Sequence, residues 1–175
     1  MRYKDQRIGI FIDVQNLYHS AKHLYNSRVN YKELIKSLTA GRIPIRIIGY
    51  VVKSEGLIGG SRSEASKSEK LFFDALEKTG IELRVKDLQV YPGGLKKADW
   101  DVGLAVDAIR MASFLDVIIL VTGDGDFLPL VEYLKWGLGR QVEITAFSRS
   151  ASAKLKESAD IFINMEEIPK ILIKK

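Results

Sequence analysis

The stretch DVIILVTGDGDF (116–127) decides the fold. Its first seven residues, DVIILVT, hold a continuous apolar run. A strand that is apolar on both faces belongs inside a parallel sheet covered by helices on either side. The next residues, GDGDFLPLVEYLKWG (123–137), turn into a helix with Pro129 in its first turn, where the missing N–H costs nothing. Strand, tight turn and helix in that order form the unit from which α/β sheets are assembled.

Working outward, the same alternation runs along the chain. RIGIFID (7–13), IPIRIIGYVV (43–52), IELRVKDLQVY (81–91) and QVEITAF (141–147) read as strands, with ADIFINM (159–165) as a further apolar run. Leu17 to Tyr25, Tyr31 to Leu38 and a stretch around Leu71, Phe72, Ala75 and Leu76, stopped by Gly80, read as helices. Asp99 to Leu115 is apolar nearly all round and predicts a heavily buried helix. Short helices are expected near 150–157 and from about Glu166 to the end. KSEGLIGGSRSEASKSEK (53–70) reads as a Gly/Ser-rich loop whose tail starts a helix, and YPGGLKK (91–97) as a turn. There is no internal repeat.

The chain has 175 residues, 46% of them apolar, which suits a single domain over 1–175. Zero Cys removes disulfides, thiolate metal sites and a Cys nucleophile. The only histidines, His19 and His23, stand four apart without an HExxH motif and read as surface residues. MRYKDQRIGIFID (1–13) has only a short apolar burst, and no run reaches the ~18 apolar residues of a membrane span. A soluble, cytoplasmic protein without a membrane partner is expected. The net charge of +5 is unevenly spread: residues 1–98 carry 18 basic and 10 acidic side chains, and residues 99–175 carry 9 and 12. A basic half, suited to a polyanion, precedes an acidic one.

In an open parallel sheet, sites form beyond the carboxyl ends of the strands, where strand order reverses. That rule sorts the acids. Asp13 ends the first strand, Asp124 and Asp126 follow the fourth, and Asp99 and Asp101 open the buried helix; Asp116 lies at the wrong end. If strands one and four are neighbours, Asp13, Asp124 and Asp126 converge, with Asp101 reaching in. Clustered carboxylates repel one another and call for a cation, and Mg²⁺ or Mn²⁺ suits an all-oxygen donor set. Asn16 can orient a water or an acid there, and Gly123 and Gly125 let the backbone turn tightly at Asp124. Taken singly, Asp13, Asp99, Asp101 and Asp126 are better explained as helix caps; capping does not by itself require them all at one end of one sheet. Asp107, six positions past Asp101, falls on another helix face and calls for a structural partner.

Three segments, FIDVQNL (11–17), KKADWDVGLAVDA (96–108) and VTGDGDFLPLV (121–131), closely resemble the NYN domain family, in particular its LabA-like branch, relatives of the PIN-domain ribonucleases. The resemblance spans about residues 7–165. It implies a PIN-like fold, a three-layer α/β/α sandwich with a mainly parallel central sheet, and metal-dependent RNA cleavage. By position it implies that Asp13, Asn16, Asp101, Asp124 and Asp126 are the site residues, the four acids being the metal ligands. Asp107 matches an acid frequent in the branch. Val14 and Gln15 replace the Gly-Glu or Gly-Ser pair of many relatives, and Asp99 and Trp100 are additions, which leaves Asp99 and Asp101 competing for the ion.

The basic residues then gain a reading. Lys53, Arg62, Lys67 and Lys70 lie in or beside the loop after the second strand, and Lys96 and Lys97 precede the acidic helix; all are candidates for phosphate contacts. Trp100 either stacks on an unpaired base or packs in the fold. The expected function is a Mg²⁺- or Mn²⁺-dependent endoribonuclease acting on RNA. The alternative is a non-catalytic RNA-binding or regulatory module, and a homodimer is compatible with either. No RRM, KH or zinc-finger pattern points to sequence-specific readout. A dinucleotide enzyme lacks GxGxxG after its first strand, a haloacid-dehalogenase-type phosphatase would need a DxD there, and a Toprim-like site would need Glu where Asp13 stands.

Overall fold

The computed structural model describes residues 2–53, 62–87, 89–90, 96–97 and 99–174. Its strands are β1 (Arg7–Asp13), β2 (Ser27–Val29), β3 (Ile43–Lys53), β4 (Glu82–Asp87), β5 (Gln89–Val90), β6 (Lys96–Lys97), β7 (Val117–Val121), β8 (Gln141–Ala146), β9 (Ile161–Asn164) and β10 (Leu172–Lys174). Its helices are α1 (Val14–Tyr25), α2 (Tyr31–Thr39), α3 (Arg62–Glu77), α4 (Asp101–Met111), α5 (Leu128–Glu132) and α6 (Ala153–Ser158). Six strands form one sheet in the order β4-β3-β1-β7-β8-β9, every pairing parallel. The chain starts in the middle at β1, builds out through β3 to β4, then crosses back to β7 and builds the other way. Strand order therefore reverses between β1 and β7, as the convergence of the acids requires.

The central strand behaves as its composition demands. All five residues of β7 are fully buried. Val117, Ile119 and Val121 enter one core with Leu17, Ala21, Leu34 and Leu38 from α1 and α2, while Ile118 and Leu120 enter a second with Leu104, Ala108 and Leu155 from α4 and α6. Alternating side chains thus serve two cores, and helices cover both faces, giving the α/β/α sandwich.

Three expectations need correction. The segment read as loop through residue 70 is helical from Arg62 onward, because its Ala, Glu and Lys residues outweigh its serines; residues 54–61 lie outside the described residues. The helix from about Glu166 does not form. Met165–Glu167 makes one 3-10 turn, and β10 then pairs antiparallel with β2. Pro169, followed by Lys170 at φ 58, ends any helix there, and the short apolar run Ile171–Ile173 suits a strand. Third, α4 is not buried all round: Leu104 and Ala108 are buried, but Val102 is 74% exposed, and Val106 and Ile109 are also exposed. A helix in an outer layer meets the sheet along one stripe only, so apolar composition on its other face does not bury it.

Candidate metal centre

At the reversal point β1 and β7 lie side by side, with Ile12 opposite Val121, and deliver the next residues of both strands to one place. Asp13 caps α1: one carboxylate oxygen accepts from the Asn16 amide at 3.1 Å and the other from the Thr122 hydroxyl at 3.2 Å. Thr122 Oγ1 in turn accepts the Asp124 N–H at 3.2 Å. The Asn16 side-chain oxygen accepts the Gly123 N–H at 3.0 Å. These bonds lash the loop after β7 to the start of α1. Gly123 leaves room for the chain at Ala151, whose Cα would stand only 3.0 Å from a Cβ there.

The loop then makes a 3-10 turn, Gly125–Phe127, capped by Asp124, whose oxygen accepts the Asp126 N–H at 2.9 Å. From the other side α4 begins at Asp101. Carboxylate oxygens of Asp101, Asp124 and Asp126 all lie within 4.8 Å of one another. Asp13 stands just behind them, its two oxygens engaged by Asn16 and Thr122. Burial, opposed by those two hydrogen bonds and reinforced by Asp124, holds the Asp13 carboxyl above the usual carboxylate range. Asp101 is pushed up to about 6, first by partial burial and then by the charges of Asp13, Asp124, Asp99 and Asp126. Among the described residues no Lys or Arg forms an ion pair with any of these four acids.

The remaining candidates separate clearly. Asp101, not Asp99, places its oxygen with Asp124 and Asp126; the Asp99 carbonyl accepts from Lys86 Nζ at 3.0 Å. Asp107 faces away, accepting the Tyr50 hydroxyl at 3.0 Å with Arg84 at 3.7 Å and Arg110 at 3.8 Å, which is the structural pairing its spacing suggested. Trp100 is engaged by the fold: its indole N–H donates to the Val51 carbonyl at 2.8 Å, its ring packs on Tyr50, and a Cβ at position 103 would strike it at 2.5 Å. That contact explains a glycine inside α4. Lys53 ends β3, and Lys67 and Lys70 lie exposed on α3. The side chains of Arg62, Lys96 and Lys97 lie outside the described residues. His19 and His23 are exposed on α1, as expected.

Sequence reasoning missed Thr122 and Lys86. The threonine bridges Asp13 and Asp124, and the lysine at the end of β4 stands 5.5 Å over the Trp100 ring. Thr122 had a signal, a hydroxyl at the strand end between two acids of a shared loop. Lys86 had none, because only the pairing of β4 beside β3 brings it there.

The NYN domain model matches residues 7–166. The chain belongs to the NYN domain family. It is similar to the low amplitude and bright protein LabA of Synechococcus elongatus, at 24% identity over 96% of this chain and 88% of that protein. Its fold matches the crystal structure of a protein of unknown function from Vibrio parahaemolyticus with a TM-score of 0.83 and 28% identity, covering 99% of this chain and all of the other. Family and fold thus agree with the resemblance of the three motifs, and the clustered aspartates of this NYN domain lie within those motifs. Among the described residues no helix is long and apolar enough to cross a membrane.

Proposed function

We propose that this NYN domain is a metal-dependent endoribonuclease whose centre is built from Asp13, Asp101, Asp124 and Asp126. The observation that carries this reading is the meeting of three carboxylates within 4.8 Å at the strand-order reversal, with no basic partner among the described residues. The donor set fits a hard divalent cation, Mg²⁺ or Mn²⁺: it is all oxygen, and partial burial, followed by the charges it concentrates, raises the proton affinity of Asp101. Asp101, Asp124 and Asp126 would hold the ion directly, with Asp13 behind them. When bound, a divalent cation supplies positive charge that acidifies an attacking water and stabilises a phosphodiester in displacement.

The rest is work for the chain itself. Asn16 and Thr122 fix the loop so that Asp124 and Asp126 keep their positions as charge changes. Asp13 adds negative charge from behind while its own oxygens are held by two donors. Exposure of Asp126 leaves the pocket open on the solvent side, where a polymer can enter. RNA is the proposed substrate, and the first, basic half of the chain supplies cations for its phosphates.

The test is cleavage of a labelled RNA pool in Mg²⁺ or Mn²⁺ by the native chain, Asp13→Asn and Asp124→Asn, with folding checked by circular dichroism. Loss of at least about 100-fold in rate is expected for Asp124→Asn, since several kcal/mol of charge stabilisation is at stake. Cleavage that survives both substitutions overturns the proposal. RNA binding without turnover by the native chain would favour the non-cleaving module instead.

A further inference from the structure

Beside the carboxylates, between α4 and the edge strand β4, lies a groove of about 370 Å³ lined by Arg84, Trp100, Gly103, Val106, Asp107 and Arg110. Arg84 and Lys86 alternate with Val85 along β4, so both face α4, with Lys86 nearer the carboxyl end of the sheet. Lys86 donates to the Asp99 carbonyl, two residues before the first ligand candidate of α4. Arg84 and Arg110 flank Asp107 at 3.7 and 3.8 Å, beyond good hydrogen-bond length, and their side chains are 52% and 75% exposed. Asp107, itself held by Tyr50, thus steadies two guanidinium groups on either side of the groove without consuming their donors. Two guanidinium groups of the lining stand against one carboxylate, with Lys86 further along β4, and the half-exposed Val106 and the glycine at 103 leave an apolar floor between them.

We propose that this groove carries a single-stranded segment of the RNA substrate toward the carboxylate centre, with Arg84, Arg110 and Lys86 on its phosphates and Val106 under a base. The proposal rests on the ribonuclease reading for its substrate, and on charge and continuity for its path. From Asp101 to Arg110, α4 rises about 13 Å, so the groove runs from the carboxylates along the helix. Cations that contact only phosphates give positioning without sequence preference. A groove with an apolar floor suits unstacked single strands better than a duplex, whose bases are turned inward.

The experiment measures anisotropy of a labelled single-stranded oligouridylate with the full chain in EDTA, so that binding is read without turnover, over a range of salt. The double variant Arg84→Gln with Arg110→Gln is expected to bind at least tenfold more weakly, with the salt slope reduced by about 1.4, two contacts at about 0.7 each. Arg84→Lys with Arg110→Lys is expected to retain most of the binding. Val106→Glu, which leaves both arginines and Asp107 in place, is expected to weaken it as well. In cleavage assays the glutamine pair should raise KM for long RNA. Native affinity and native slope in both the glutamine pair and Val106→Glu overturn the proposal. So does a Val106→Glu variant that changes the oligomeric state by light scattering and leaves RNA affinity intact, because the exposed stripe Val102, Val106 and Ile109 would then belong to a second copy of the chain. The two readings fail separately. Arginine-dependent binding with no cleavage by the native chain retires the ribonuclease and keeps the groove; cleavage lost in Asp124→Asn but indifferent to the arginines does the reverse.

Discussion

The two ends of the sheet treat negative charge in opposite ways. At the amino end three carboxylates among the described residues are each met by a cation. Asp116, just before β7, is gripped by the Arg7 side chain at 2.9 Å and by its amide at 2.7 Å. Glu143, fully buried on β8, is held by Arg42 at 2.6 Å and Arg2 at 3.0 Å. Asp160, before β9, meets Lys135 at 3.1 Å. At the carboxyl end four aspartates share a small volume and none has such a partner among the described residues. The chain has no shortage of cations, with 27 Lys and Arg. That none of the described ones pairs with these four acids is therefore informative: acids that serve the fold are neutralised from within, and acids left unpaired are available to something from outside.

Breaking the compensated end should have the largest effect. Arg42 is buried, donating to both Glu143 oxygens and to the Leu38 carbonyl. Arg42→Met strands the Glu143 charge, leaving only Arg2 and Gln141 as donors, and is expected to cost about 3 to 5 kcal/mol, about 10 °C in Tm for a chain of this length. Thermal unfolding checks this. If the pair rather than packing is responsible, adding Glu143→Met to that variant should restore most of the loss, because two apolar groups of similar volume replace the ion pair.

That contrast was legible in the sequence only in part. The fold class followed from periodicity, because β7 and β1 are apolar enough to require cover on both faces; the glycines after β7 marked the turn, though neither takes a positive φ and Gly123 instead leaves room for Ala151. Asp116 was separable from Asp124 by position along a single strand. Partnerships across the sheet were not legible: Arg42 and Glu143 are 101 residues apart, and nothing local marks either as buried. The exposure of Val102 was missed for a related reason, since composition reports what a helix could bury and only the layer arrangement decides which stripe is buried. The terminal strand was missed because its partner, β2, is three residues long and has no signature of its own.

At the uncompensated end, the corresponding perturbation is to supply the missing charge. Millimolar Mg²⁺ or Mn²⁺ is expected to raise the Tm of the native chain. Binding to the folded state alone stabilises by about 2.7 kcal/mol when the cation is at 100 times its dissociation constant, which corresponds to about 5 to 10 °C. The rise should shrink in Asp101→Asn and Asp124→Asn but persist in Asp116→Asn. Equal rises in all four proteins would mean that the cation acts generally, and the contrast between the ends would lose its functional meaning.

The smallest effect is also the sharpest in sign. Asp116, drawn down to about 2 chiefly by its hydrogen bonds with Arg7, has a folded pKa below its unfolded value near 3.8. Its ionised form favours the folded state, so its contribution is present above pH 4 and is lost as pH falls toward 2. Asp101, raised to about 6 by burial and by its acidic neighbours, does the opposite: in the absence of divalent cations it opposes folding at neutral pH, and the cost is relieved as pH falls from about 6 to 4. Asp116→Asn should therefore lower Tm at pH 7, and Asp101→Asn should raise it, by only about 1 to 2 °C because the group is partly exposed and the substitution also removes an acid from the first turn of α4. The Asp101→Asn difference should vanish by about pH 4, whereas that of Asp116→Asn should persist there and vanish only near pH 2. Shifts of the same sign in EDTA-treated protein would show that the clustered aspartates are compensated after all.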